Sequence, residues 1–164
     1  MIRVRIIIAA VLAGIAAISC QSVDDTRIPP AQVSISFTTV GDWNVYGVAG
    51  ALSARRFIKS DRVPADFPYS DMSATGYGGV LLVSDFDGVC KAYDLSCPVE
   101  RKRDVRIVVS SELNVGECPV CHSTYDVFRL GSPLSGEAAE RGYALTRYRV
   151  SVNSTSTPYA LISN

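Results

Sequence analysis

The chain has 164 residues, with Lys and Arg equal in number to Asp and Glu at 16 each, so that its formal net charge is zero. That length suits one domain with a single core, and no imbalance of charge points to nucleic acid, so we expect no nucleic-acid partner. A single histidine and the lack of a Gly-x-Ser-x-Gly motif give no support to a hydrolytic triad. We therefore expect a protein that is not an enzyme.

Residues 1–19 have the pattern of a secretory signal peptide. Arg3 and Arg5 precede an apolar segment over residues 6–17 that is too short to span a bilayer as a stable helix. Because Val4 separates the two arginines, the leader lacks a twin-arginine pair. We therefore expect the chain to be exported before it folds.

Small residues come directly before Cys20, and this arrangement resembles the lipobox of bacterial lipoproteins. The resemblance implies that Cys20 is the acylated first residue of the mature protein. A lipid anchor would place the protein in the cell envelope of a Gram-negative bacterium, at the periplasmic face or the cell surface. Asp24 and Asp25 resemble the acidic tags that send some lipoproteins of the Bacteroides group to the surface. A soluble secreted protein cleaved near Ser19 is the alternative.

The remainder of the chain divides into two parts. Residues 20–32 read as a lipidated N-terminus and linker, which Pro29 and Pro30 close. Residues 33–164 read as one domain, and no repeat or low-complexity segment divides them.

The first half of this domain has one clear strand. Val33–Phe37 alternates apolar and polar residues with a period of two, which predicts a half-buried strand. Residues 42–48 continue in a composition typical of strands, whereas residues 49–58 have a modest helical propensity. The stretch from 59 to 75, with two prolines and several Asp and Ser residues, is predicted to be a loop.

The centre of the domain reads as a hairpin followed by another strand. Residues 78–84 form an apolar run that predicts a buried strand, and Asp87-Gly88 is a strong turn signal leading into a second strand over residues 89–93. A further strand is predicted over residues 105–110.

Cysteine-bearing loops follow, and they end in a closing strand. A turn at Asn114 and Gly116 leads to Cys118, residues 125–128 lead away from it, residues 131–136 form a third loop, and residues 144–152 alternate as the last strand. The pattern predicts an all-β fold, an antiparallel sandwich or barrel with the cysteine-bearing loops at one end.

Four cysteines remain once Cys20 is set aside, and they are the predicted metal ligands: Cys90, Cys97, Cys118 and Cys121. They allow three disulfide pairings or one four-sulfur site. An oxidising exterior favours disulfides, for example from Cys97 to Cys118 or Cys121. Cys90 lies seven residues before Cys97, a distance of about 23 Å in an extended chain, so only a sharp bend would bring it to the others.

Several ligand sets are therefore open. With Cys90 in place, four thiolates would hold zinc or iron with sulfur. Without it, Glu100 or His122 would have to complete the coordination, or the cysteines are oxidised. Export of an unfolded chain argues against a cluster inserted before export, whereas zinc binding or disulfide formation afterwards meets no such obstacle.

A second motif overlaps the same cysteines. Residues 118–122 fit Cys-x-x-Cys-His, the attachment signature of c-type haem, with His122 as the axial ligand. Such motifs normally open a helix, whereas residues 123–128 read as a strand, and Met72 is the sole plausible distal sulfur of the mature chain.

Taken together, the segments from residue 77 to 152 resemble the Rieske [2Fe-2S] family. A strand ending in Ala92-Tyr93-Asp94 leads to the first loop at Cys97, residues 118–126 resemble the second loop, and residues 131–136 are similar to the proline loop that covers the cluster. Residues 145–150 resemble the last strand of the family. The most similar members are lipoproteins with altered ligands.

The cluster ligands depart from the family pattern. A Rieske cluster takes two cysteines and two histidines, one of each from either loop. In this chain Val99 occupies the first histidine position and Cys121 the second, and His122 stands one residue further, where we expect an exposed side chain. The family's own histidine-ligated centre is therefore not expected to form.

Two further residues of the second loop match family positions. The resemblance implies that Ser123 and Tyr125 donate hydrogen bonds to the cluster and its cysteine ligands, and without a cluster we expect them to tie the loop together. The resulting hypothesis is a membrane-anchored module that binds a [2Fe-2S] cluster or a metal and is linked to electron transfer through an unknown redox partner. The alternative is a structural domain of the envelope without a cofactor, whose cysteines form disulfides and which binds an envelope protein.

Overall fold

The computed structural model describes residues 23–153, 155 and 157–164. The predicted signal peptide and Cys20 lie outside the described residues. The elements in chain order are β1 (Val33–Phe37), α1 (Val40–Tyr46), β2 (Ser53–Phe57), β3 (Ala74–Thr75), β4 (Val80–Ser84), β5 (Cys90–Asp94), β6 (Val108–Ser110), β7 (Val115–Glu117), β8 (Thr124–Asp126), β9 (Ser132–Ser135), α2 (Gly136–Arg141), β10 (Arg147–Val152) and β11 (Ala160–Ser163). The predicted all-β fold class is confirmed.

Two antiparallel sheets form the domain. The larger has seven strands in the order β2-β4-β5-β10-β11-β1-β3, and the smaller has four in the order β6-β7-β8-β9. The predicted strand over residues 33–37 is confirmed to the residue. The predicted hairpin is confirmed as well, although its strands run over Val80–Ser84 and Cys90–Asp94 instead of 78–84 and 89–93; they pair from Val80 with Asp94 to Ser84 with Cys90. Gly88 in its turn has a φ of +81°, which glycine adopts at little cost.

The larger sheet curls around a core rich in aromatic rings. Phe37 on β1 lies 5.7 Å from Phe57 on β2 between ring centroids, although four strands separate β1 from β2 in the sheet. Trp43 and Phe67 also meet Phe37 edge to face. We call this group the aromatic core; its buried members are Val33, Ile35, Phe37, Trp43, Val48, Phe57, Phe67, Val80, Leu82, Ala92, Ala160 and Ile162.

A second core lies between the two sheets. We call it the cysteine core; its buried members are Ile58, Leu81, Val83, Tyr93, Leu95, Cys97, Ile107, Cys118, Tyr125, Val127, Phe128, Ala138 and Leu145. Strand β4 separates the two cores, with Val80 and Leu82 in the aromatic core and Leu81 and Val83 in the cysteine core. Because successive strand residues point to opposite faces, this strand is buried throughout, as its apolar run predicted.

The segment from residue 40 to 58 corrects two sequence predictions. Residues 42–48 were expected to be strand-like, but α1 begins here because Thr39 caps it: the Thr39 hydroxyl accepts from the Asp42 amide, and the Asp42 carboxylate accepts from the Thr39 amide. Residues 49–58 were expected to favour a helix, but they form a turn and β2. That strand pairs along its whole length with β4, whose buried backbone groups need partners, and this need overrides local propensity.

Two elements near the C-terminus also differ from expectation. Residues 131–136 were expected to be a loop, but Ser132–Ser135 form β9, which pairs with β8 and leads directly into α2 at Gly136. The helix ends at Gly142, whose φ of +71° is the left-handed conformation typical of a glycine after a helix. Strand β11 was not predicted, and it lies between β10 and β1.

The segment predicted as a linker packs against the domain. The Asp24 amide donates to Gly142 O at 2.8 Å, and Asp24 O accepts from the Ala144 amide at 2.9 Å. Asp25 forms an ion pair with Arg147 at 3.1 Å, and Ile28 is buried. Within residues 23–153, 155 and 157–164, no helix is both long and apolar enough to cross a membrane.

Candidate metal centre

Two loops bring cysteines to the cysteine core. The first follows β5 and carries Cys97, and the second joins β7 to β8 and carries Cys118 and Cys121. The buried Asp94 carboxylate fixes the entry to the first loop: it accepts from the amides of Gly78 and Ser96 and from the Tyr148 hydroxyl, the last at 2.6 Å. The small sheet fixes the second loop, because β7 and β8 pair on either side of it.

Three sulfur atoms converge where these loops meet. The Sγ atoms of Cys97, Cys118 and Cys121 all lie within 4.8 Å of one another, and those of Cys97 and Cys121 are 3.6 Å apart. All three cysteines are free thiols. A zinc ion with zinc–sulfur bonds of about 2.3 Å needs its sulfurs about 3.8 Å apart, so the triangle suits one tetrahedral metal ion.

The three thiols differ in acidity. Burial raises the pKa of Cys97 to about 12, although the amides of Glu100 and Val99 and the Tyr125 hydroxyl oppose the shift. Burial likewise raises the pKa of Cys118. Burial also acts on Cys121, but hydrogen bonds from Ser123 and the neighbouring thiols outweigh it and lower the pKa of Cys121. Cys121 is therefore the first of the three to become a thiolate.

Ser123 and Tyr125 tie the second loop to its surroundings. The buried Ser123 hydroxyl accepts from the Ala138 amide of α2 at 3.1 Å and lies 3.4 Å from Cys121 Sγ. The buried Tyr125 hydroxyl lies 3.6 Å from Cys97 Sγ. Both side chains therefore touch the sulfur group, each at a different cysteine.

Cys90 lies apart from the other three predicted ligands. It packs at the edge of the aromatic core, and its thiol contacts Gly88 O at 3.9 Å. The bend that would bring it to the sulfur group does not occur. Cys90 and Ala92 lie on one face of β5, whereas Tyr93, Leu95 and Cys97 belong to the cysteine core on the other. An odd separation of seven residues along an extended chain places two side chains on opposite faces, so the sequence already contained this signal.

The two residues predicted as substitutes for a fourth cysteine are both near the loops. His122 is exposed over 73% of its side chain, as expected, and its Nδ1 lies 3.1 Å from Glu117 Oε1, away from the sulfurs. The Glu100 carboxylate is mostly covered, at 18% exposure, and lies 3.7 Å from Lys102 Nζ. Neither belongs to the group of converging ligand atoms.

The donor set does not fit a Rieske cluster. Val99, at the first histidine position, is an apolar side chain packed against the cysteine core, and it offers no ligand atom. Three sulfurs without imidazole cannot provide the two cysteines and two histidines that such a cluster takes. The haem motif lacks its usual context as well, because strand β8 rather than a helix follows it.

Sequence reasoning missed the part that α2 has in this site. The Ala138 amide holds Ser123, and Gly136, with a φ of +73°, lies so close that an added Cβ would be 2.9 Å from Ser123 Oγ. The segment from Gly136 to Gly142, rich in Glu and Ala and closed by glycine, contains the signal for a short helix.

Comparison with known proteins shows a structural similarity but no sequence match. No protein-family model matches the chain. No curated protein matches it either. Among solved structures, the chain is similar to the ferredoxin of carbazole 1,9a-dioxygenase from Nocardioides aromaticivorans, with a TM-score of 0.42 and 17% identity over 80% of this chain and 96% of that chain. Membership of the Rieske family stays a prediction that rests on the loop motifs.

Proposed function

We propose that this protein is a non-enzymatic metal-binding module in which Cys97, Cys118 and Cys121 hold one soft metal ion. The observation that carries the proposal is the convergence of three free thiols within 4.8 Å, two of them buried. Thiolate ligands select zinc and iron over the hard cations magnesium and calcium. Zinc is the form that best agrees with export before folding.

The metal decides whether the module transfers electrons. Zinc has no redox chemistry, so a zinc-loaded site would have a structural role and would hold the two loops together. A single iron in the same site would exchange one electron with a partner protein. The residues present do not fit the histidine-ligated [2Fe-2S] cluster, so electron transfer through such a cluster forms no part of the proposal.

The proposed location is the cell envelope. Acylation of Cys20 would anchor the chain in the membrane, and Asp24, only four residues later, already pairs with the domain through Gly142 and Ala144. With so short a tether, the domain would lie close to the lipid surface. Growth with a labelled fatty acid and a Cys20→Ala variant test this part: the label should be lost only in the variant.

The experiment for metal binding uses the purified mature protein and four matched Cys→Ser variants. Wild type and Cys90→Ser are expected to contain one zinc or iron per chain, whereas Cys97→Ser, Cys118→Ser and Cys121→Ser lose it. Acid-labile sulfide separates a cluster from a single ion. Metal-free wild type after growth with added zinc and iron would overturn the proposal.

The second candidate function is a structural domain of the envelope without a cofactor. Its supporting observation is the 3.6 Å separation of the Cys97 and Cys121 sulfurs, which a small side-chain rotation would convert into a disulfide under oxidising conditions. A thiol count before and after reduction decides between the two: the structural domain would gain two thiols on reduction and hold no metal. A positive haem stain would contradict both functions.

A further inference from the structure

The two cysteine loops are structural copies of each other. The first reads Cys97-Pro-Val-Glu-Arg101 and the second Cys118-Pro-Val-Cys-His122. In each, the fifth amide donates to the carbonyl of the first residue, at 2.8 Å in the first loop and 3.0 Å in the second. The fifth residue of each, Arg101 and His122, has the left-handed conformation, with φ of +56° and +55°.

The sulfur at the head of each loop has equivalent surroundings as well. The amides of Val99 and Glu100 are directed at the Cys97 sulfur. In the second loop, the amides of Val120 and Cys121 are directed at the Cys118 sulfur in the same way. Amide bonds to sulfur from the third and fourth residues stabilise a thiolate that is bound to a metal. Two left-handed residues other than glycine cost free energy, and such strain gathers at functional sites.

The copies differ at the fourth position, where Cys121 in the second loop corresponds to Glu100 in the first. Cys121 Sγ lies 3.6 Å from Sγ of Cys97, the first residue of the opposite loop, and Glu100 holds the equivalent position in its own loop. The Glu100 carboxylate lies outside the group of converging sulfurs, so metal binding requires it to turn inward. Among the described residues, the closest cation to the Glu100 carboxylate is Lys102 at 3.7 Å, beyond hydrogen-bond distance. The Glu100 carboxylate is mostly buried, and its ion pair with Lys102 is weak.

We propose that Glu100 is the fourth ligand, so that the site holds one zinc ion with three thiolates and one carboxylate. This inference rests on the proposed function. A carboxylate oxygen is an ordinary zinc ligand at about 2.0–2.2 Å. The alternatives in the loops are weaker, because Val99 has no donor atom and His122 is turned outward to Glu117. Zinc binding displaces the thiol protons and changes no oxidation state.

Cobalt(II) substitution and zinc competition test this assignment on the mature protein. Glu100→Gln should weaken zinc binding at least about tenfold, the lower end of the loss seen when a partner of a metal ligand is removed. Glu117→Gln is the matched control, because its carboxylate pairs with His122 outside the sulfur group. Its affinity should equal that of wild type.

Glu100→Cys provides the opposite test. It makes the loops identical at the fourth position, so zinc binding should tighten and the ligand-field bands of cobalt should move to longer wavelength with stronger sulfur charge-transfer absorption. If Glu100→Gln binds like Glu117→Gln and the cobalt spectrum of Glu100→Cys equals that of wild type, the assignment of Glu100 is wrong, although the three-thiolate site would stand. Failure of wild type itself to bind zinc or cobalt would instead overturn the proposed function.

Discussion

The aromatic core and the cysteine core share strand β4 and yet are held together differently. In the aromatic core, Phe37 meets three other rings edge to face, and burial of apolar surface stabilises the fold. The cysteine core buries thiols and the Ser123 and Tyr125 hydroxyls, each in contact with a partner. The aromatic core therefore mainly stabilises the fold, whereas the cysteine core gives up some stability to position thiols and hydroxyls.

The largest effect is expected from the aromatic core. Phe37→Ala should lower the free energy of unfolding by about 3–5 kcal/mol, because it leaves a cavity beside three aromatic rings. Urea denaturation measures the loss, with the exposed Val40→Ala as control. Metal binding of the folded variant should equal that of wild type; its loss would show that the two cores are not separate.

A titration of stability against pH tests the buried thiol of Cys97 in the cysteine core. The metal-free protein binds the Cys97 proton more tightly when folded, since the pKa of Cys97 rises from 9.0 to about 12. The contribution of the Cys97 thiol to the free energy of unfolding is therefore complete below about pH 9 and is lost as the pH rises through about 12. Between these two pH values, the free energy of unfolding falls by about 1.4 kcal/mol for each pH unit. Burial also raises the pKa values of Tyr93, Tyr125 and Tyr148. These tyrosines therefore also lower the stability of the folded protein as the pH rises above about 10.

The control for this titration is Cys97→Ser. Its stability should fall less than that of wild type between pH 9 and 10, where the tyrosines do not yet titrate. Equal slopes for both proteins in this range would contradict the assigned role of Cys97. Denaturant midpoints at each pH provide the measurement.

A smaller effect is expected at the contact between α2 and the second loop. Gly136→Ala forces a left-handed alanine, which costs about 1–2 kcal/mol, and its Cβ would press on Ser123 Oγ. Gly88→Ala is a matched control, because its φ is also positive at +81° but its Cβ would meet nothing within 4 Å. Both should lose stability, but only Gly136→Ala should bind metal more weakly. Equal metal affinities would show that the position of Ser123 is unimportant.

The smallest effect on stability is expected from Tyr125→Phe. It keeps the buried ring and removes one hydroxyl contact to Cys97, which should cost about 1 kcal/mol. Because that contact lowers the pKa of Cys97, its loss should raise this pKa further and weaken metal binding at neutral pH. Tyr93→Phe is the control in the same core, since the Tyr93 hydroxyl bonds Arg129 O instead. Thiol reactivity against pH measures the difference.

Local signals in the sequence account for much of the fold. The alternation of Val33–Phe37, the apolar run of β4 and the Asp87-Gly88 turn each act within a few residues, and each prediction is confirmed. The capping pair Thr39 and Asp42 was also visible, and it would have identified α1. Strand β2 could not be predicted in this way, because its partner β4 lies more than twenty residues later and overrides its local preference.

The candidate site shows the same division. The sequence by itself determined the two Cys-Pro-Val loops and the presence of Glu100 in the first of them, because turn chemistry is a property of neighbouring residues. It left Cys90 among the predicted ligands, although the odd separation from Cys97 already pointed to the opposite face of the strand. Only the tertiary structure decided that Cys97 meets Cys118 and Cys121, and that burial raises the pKa of Cys97 whereas hydrogen bonds lower that of Cys121. Those outcomes depend on strand pairings across the whole domain, which bring together loops about twenty residues apart and remove water from between them.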